Sequence, residues 1–247
     1  MRGRLAPVAL GGLLAAAVLG SADRAGAVLG GGPPPVDPDP ASTPAVRYAS
    51  LGRAACFEEL ERRGIRFSPV DSARGVLAPV RLKGPLHGVT FRTGLPASQR
   101  ATSPWEIVDC RLALALDDFS AQLAAHDVVE VIHYSVYRPP APKWPDGKLA
   151  SRHPGALAID AGSFVKRDGT VLQVERDFHG HIGGVPCGGA EARPVPASPE
   201  SLELRSIVCD AADARLFNVV LTPDFNWPHR NHFHLEVTAG ARWFVVR

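Results

Sequence analysis

The spacing of apolar and polar positions divides most of the chain into a short series of elements. Ala54 to Arg63 reads as a short helix that carries Cys56. Leu112, Leu114, Leu116, Phe119 and Leu123 recur at helical spacing. Ser103-Pro104-Trp105-Glu106 ahead of them has the form of a helix start, with Ser at the N-cap and Pro in the first turn. One helix from Ser103 through Leu123 is therefore predicted. Val129 to Tyr137, rich in Val, Ile and Tyr, predicts a strand, and Leu157 to Ile159 and Val171 to Val174 predict two more, with a turn at Arg167-Asp168-Gly169. Ser198-Pro199-Glu200 opens a second long helix, reaching about Leu216 and carrying Cys209. Asn218 to Leu221 and His232 to Val237 read as the last strands, and the Gly- and Pro-rich stretch from His179 to Pro196 as an irregular loop. The expected class is α+β, an antiparallel β-sheet flanked by helices.

The N-terminal segment follows a different pattern. Arg2 and Arg4 precede an apolar run from Leu5 to Gly20, and Ala25-Gly26-Ala27 has the small-x-small form of a cleavage site. The run is shorter than the ~20 residues of a spanning helix. Residues 1–27 are therefore read as a removable export signal, with no stable membrane insertion after cleavage and a periplasmic or cell-envelope destination. Residues 28–45, dominated by Gly and Pro, read as a spacer, and residues 46–247 as one globular domain.

Composition narrows the function classes. Net charge is +2 and the basic residues are scattered, so the electrostatic footprint of a nucleic-acid binder is missing. Four cysteines, Cys56, Cys110, Cys187 and Cys209, contain no Cys-x-x-Cys pair. In an oxidising compartment they suggest up to two disulfides, with three possible pairings.

The candidate chemistry lies in two segments. Ser151-Arg152-His153 runs through to Ala158-Ile159-Asp160, and His232-Phe233-His234 follows downstream. On a strand, His232 and His234 would share one face while Phe233 turns to the core. Neither fragment defines a metal site alone. Together they offer the His, Asp and His donors that can hold a zinc ion and leave a coordination position open.

The combined pattern, with Pro223-Asp224-Phe225-Asn226 and His229-Arg230-Asn231-His232-Phe233-His234-Leu235, resembles the bacterial extensin-like C-terminal family. The similarity runs from about Cys56 to Val237. That family is related to the D-Ala-D-Ala peptidases, lysostaphin-type endopeptidases and hedgehog domains. The resemblance implies a zinc peptidase fold of the hedgehog/DD-peptidase kind, with Zn2+ held by His153, Asp160 and His234. It implies that His232 assists the attacking water and that Arg138 orients the substrate, a peptidoglycan peptide. The expected activity is hydrolysis of peptide bonds in stem peptides or cross-links.

One departure bears on activity. Peptidases of this kind carry an acidic general base three residues before the last His ligand, where this chain has Asn231. The base falls to His232, to Glu236, or to no residue. The rival reading is a catalytically inactive, zinc-stabilised cell-envelope binding module. Other polar and aromatic positions have plainer expectations. His179 and His181 read as loop residues, Asp224 as a turn residue or an orienter of His232, and His229 as a cleft or solvent residue. Trp227 and Trp243 read as packing residues, and His133 as a satisfied strand histidine.

Overall fold

The computed structural model describes residues 39–247, so the export signal and the spacer up to Pro38 lie outside the described residues. Ordered elements begin inside the stretch read as spacer. Helix α1 (Pro44–Ala49) opens with Pro at its first position, buries Ala45, Tyr48 and Ala49, and its Ala45 N–H donates to the Arg215 carbonyl. Pro44 is thus a helix start rather than spacer.

Helix α2 (Arg53–Arg62) turns Cys56 and Leu60 inward. Strands β1 (Phe67–Pro69) and β2 (Pro79–Leu82) follow, then β3 (Thr90–Thr93) and a single helical turn, α3 (Ala97–Arg100). The predicted helix from Ser103 divides in two. Ser103 Oγ caps only a 3-10 turn over Pro104–Glu106, and β4 (Val108–Asp109) then pairs with β2. Helix α4 starts at Cys110 and runs to Ala125. Asp109 is the reason: its Oδ1 accepts from the Arg111 N–H, its carboxylate receives the Arg111 guanidinium, and its Oδ2 accepts from Ala78 N–H. Cys110 is bonded to Cys56, which anchors the same helix end to α2.

Strands β5 (Val128–His133), β6 (Ala158–Lys166) and β7 (Val171–Gln173) come next, then the short α5 (Val174–Asp177). Helix α6 (Pro199–Asp213) begins with Ser198 at its N-cap, in a reciprocal pair of bonds with Ser201. Strands β8 (Val219–Leu221), β9 (Phe233–Glu236) and β10 (Val245–Val246) complete the chain.

The fold is α+β, with a three-stranded sheet β1-β2-β4 and a seven-stranded sheet in the order β10-β8-β9-β6-β5-β3, β7 extending along β6. The larger sheet is mixed, which corrects the antiparallel expectation. Its centre is antiparallel, but β3 runs parallel to β5 and β10 parallel to β8. These outer pairs connect through long excursions, α3–α4 and the loop after β9, rather than through hairpins. Strand β6 is longer than its apolar run suggested because it pairs on both sides: β5 on one, β9 and then β7 on the other. Helix α4 buries most of its circumference against α1, α2, α6 and β5. The core continues through Phe119 on Phe217, and through Phe164 and Phe178 on Phe233.

Two disulfides, Cys56–Cys110 and Cys187–Cys209, resolve the pairing and fit a compartment that keeps thiols oxidised. No helix among the described residues is long and apolar enough to cross a membrane.

Candidate metal centre

Residues Asp160 and His234 face each other across β6 and β9, on the sheet face opposite Ile159, Phe233 and Leu235, which enter the core. The expected division of the His232-Phe233-His234 segment holds: Phe233 is fully buried, while both histidines stand at the cleft. Asp160 is fixed at both backbone groups. Its carbonyl accepts from Tyr134 N–H, and its N–H donates to the Ser135 carbonyl. Just beyond, the pairing of β5 with β6 shifts register between Ile132 and His133, leaving Gly162 as the extra residue. The Tyr134 ring lies over Gly162, where a Cβ would meet it at 3.0 Å. Such bulges re-aim strand side chains beside functional sites.

His153 arrives from a 3-10 turn over His153–Gly155. That turn needs glycine at 155, because a Cβ there would lie 2.2 Å from the Ala150 carbonyl oxygen. The His153 carbonyl accepts from Arg138 N–H and the Ala156 carbonyl from Asp109 N–H, so the loop is tied to both the cleft and the start of α4.

The three donors converge. His153 Nε2 is 3.0 Å and His234 Nδ1 3.1 Å from Asp160 Oδ1, and the two ring nitrogens are 3.3 Å apart. All three residues are buried. Each histidine has its other nitrogen engaged by an acceptor: His153 Nδ1–H donates to the Val136 carbonyl at 2.8 Å, and His234 Nε2–H to Glu236 Oε2 at 3.2 Å. This places lone pairs, not protons, on the converging nitrogens. Three acceptors so close together repel unless a positive charge lies among them. His153, Asp160 and His234 can therefore hold a metal ion.

The ionisation of the cluster reflects the same demand for positive charge. When protons instead of a metal ion supply that charge, the converging ring nitrogens become donors: burial would raise the Asp160 carboxyl, but bonds from His153, His232 and His234 then hold it well below the usual carboxylate range. Burial would lower His234, yet its bonds to Asp160 and Glu236 outweigh that and raise it.

Around the cluster opens a cleft of about 790 Å3. His232 and Arg138 both line it. His232 Nε2 is 3.3 Å from Asp160 Oδ1, and its Nδ1–H donates to Asn231 Oδ1 at 2.8 Å. Arg138 is exposed and donates from Nη2 to Asp160 Oδ2 at 3.0 Å. The five site residues read from the sequence thus meet in one cleft. Asn231, where an acid was expected, orients His232.

His229 is a cleft residue: its ring centroid is 5.2 Å from that of His232, and Nδ1–H donates to Asn226 Oδ1 at 2.6 Å. Burial, followed by its histidine neighbours, pushes His229 down to about 4. Trp227 and Trp243 are exposed rather than packed, and Trp243 lines the cleft. Asp224 does not orient His232. It is buried, receives the His181 N–H at 2.7 Å and lies 3.3 Å from Arg205 Nη1. Together with Cys187–Cys209 it pins the Gly-rich loop, in which His179 and His181 stay apart from the cleft. Glu236, in the cleft wall, accepts from the outer nitrogen of His234 and is thereby engaged as its support. Its position two residues beyond His234 on one strand was the available sequence signal.

Comparison with curated proteins and with solved structures finds no match. The family model described as "Extensin-like protein C-terminus" matches residues 54–247, nearly the whole folded part of the chain, and this chain belongs to that family.

Proposed function

We propose that the protein is an exported, zinc-dependent peptidase that hydrolyses peptide bonds in peptidoglycan stem peptides or cross-links, on a fold of the hedgehog/DD-peptidase kind. The observation that carries this reading is the convergence of three proton-free donor atoms at a cleft that also holds a further, unliganded histidine. A tetrahedral zinc ion with arms of ~2.0–2.1 Å has ligand atoms about 3.3 Å apart. The separations of 3.0, 3.1 and 3.3 Å among His153, Asp160 and His234 fit that spacing. Two imidazoles and a carboxylate are also a donor set of catalytic rather than purely structural zinc.

Zinc held there supplies Lewis acidity, polarising a carbonyl and acidifying water. The chain's own residues supply positioning and proton transfer. His232 carries its proton on Nδ1, which leaves Nε2 to take the proton of an attacking water and return it to the leaving amine. Arg138 keeps donors of its planar guanidinium free beyond its single bond to Asp160, suited to a substrate carboxylate or a developing oxyanion. Among the described residues, the carboxylate side chains lining the cleft are those of Asp160 and Glu236, both engaged by histidines, so proton transfer falls to an imidazole.

The rival is a zinc-stabilised envelope-binding module without catalysis, favoured by Asn231 in the position of the acid. Incubating the metal-loaded protein with intact peptidoglycan, with and without a chelator, separates the two. New amines and released muropeptides that vanish with the chelator support the peptidase. Retention of peptidoglycan with no released product would assign the module instead.

A further inference from the structure

The larger sheet has a second polar cavity, about 260 Å3 in volume, on the side away from the cleft. Consecutive residues mark the division. Asp160 stands in the cleft and Ile159 lines the cavity, as neighbouring strand residues point to opposite faces. The two spaces share no lining residue.

The cavity has an excess of positive charge. Arg81, Lys83, Arg92 and Arg100 line it against a single carboxylate, Glu106. That carboxylate is already engaged: Oε1 accepts from the Thr93 N–H and hydroxyl at 2.9 and 2.6 Å, and Oε2 lies 3.9 Å from His133 Nε2. Arg92 is matched by Glu130 at 2.5 Å. The others have no such match. Arg81 donates to the carbonyls of Ser103 and Thr102, and Arg100 to that of Leu95, all uncharged acceptors. No acceptor among the described residues engages the Lys83 ammonium. Burial holds the Arg81 guanidinium below its ordinary value, with Glu106 offsetting only part of the effect.

His133 adds a second, independent sign. It lines the cavity and is 3% exposed, and its Nδ1 has no hydrogen-bond partner among the described residues. Buried polar atoms without partners are rare in folded proteins, because an unmade bond costs the full desolvation of the group.

We propose that this cavity binds a small oxyanion, a phosphate or carboxylate group, held by Arg81, Lys83 and Arg100. Guanidinium forks match the paired oxygens of such groups. The volume is below the ~300–1,000 Å3 of pockets for drug-sized ligands, which selects a compact ligand over a nucleotide or a muropeptide.

The test is calorimetric titration of the full chain with inorganic phosphate and, separately, with succinate, on wild type, Lys83→Gln and His234→Ala. Lys83 is exposed, so its replacement leaves the core packing in place. Saturable one-site binding of either anion is expected, weakened about tenfold or more by Lys83→Gln and unchanged by His234→Ala. The better-bound probe then identifies the group. The proposal is overturned if neither anion saturates the protein, or if Lys83→Gln binds as wild type, which leaves an adventitious ion only. Loss of binding in His234→Ala would also overturn it, by moving the anion to the cleft.

Discussion

Asp160 and His234 are register partners on adjacent strands, and Asp160 Oδ1 lies 3.1 Å from His234 Nδ1. A backbone pairing thus sets the separation of two candidate metal ligands. The third, His153, comes from a turn, so its placement depends on loop contacts instead of a ladder.

Glu236 holds the far nitrogen of His234 and is itself held by the Thr238 hydroxyl at 2.8 Å. Removing such a partner typically lowers metal affinity about 10–100-fold. Glu236→Ala is expected to show that loss in competition with a chromophoric chelator while keeping its near-ultraviolet circular dichroism. Glu236→Gln, which retains a carbonyl acceptor, should fall between. Wild-type affinity in Glu236→Ala would show that His234 does not need this support.

The imidazole of His232 is oriented by Asn231 and, under the proposed function, carries the proton. His232→Ala should retain stoichiometric metal and lose about 10²–10⁴-fold in turnover. Asn231→Ala should keep metal with a smaller loss in kcat, because the imidazole remains but rotates more freely. Full turnover in His232→Ala would require a different base, with His229 the next candidate.

Gly155 packs where a Cβ would strike the Ala150 carbonyl oxygen. Gly155→Ala is expected to cost about 1–3 kcal/mol by overpacking and to weaken metal binding by displacing His153. Gly94 has nothing within 4 Å of its Cβ position, so Gly94→Ala serves as the benign control. Urea unfolding and metal titration of both variants check this. Equal behaviour of the two would mean that the turn yields without moving His153.

Burial pushes His133 down to about 4, against the opposing charge of Glu106. The unfolded chain titrates this group near 6.5. Between those values the unfolded state takes up a proton that the folded state refuses, so this contribution is fully present above about pH 6.5 and is lost as pH falls towards 4. The shift corresponds to about 3 kcal/mol. His133→Gln should flatten the decline of stability between pH 6.5 and 4 in urea unfolding. A pH dependence identical to wild type would assign the decline to other groups.

The sequence patterns located elements well wherever the signal was local. Ser198 and Pro199 start α6 as read, and Phe233 turns inward between two outward histidines. The reading failed at Ser103, because Asp109 outcompetes it as the cap of the long helix through contacts to Ala78 and Arg111. It failed at Trp243 for another reason: an apolar side chain does not announce whether its surroundings are core or cleft.

What the chain determined by itself is the inventory and its alternation: two histidines and an aspartate of the right types, and a period of two that puts His234 and Glu236 on one face of β9. Only the tertiary structure decided that Asp160 meets His234 across 74 positions, that the Val136 carbonyl and Glu236 hold the outer nitrogens, and that His229 joins the cleft. Periodicity is a property of neighbouring residues and survives in any fold. Register, disulfide pairing and the sense of β3 and β10 depend on which surfaces pack together, and that choice belongs to the whole core.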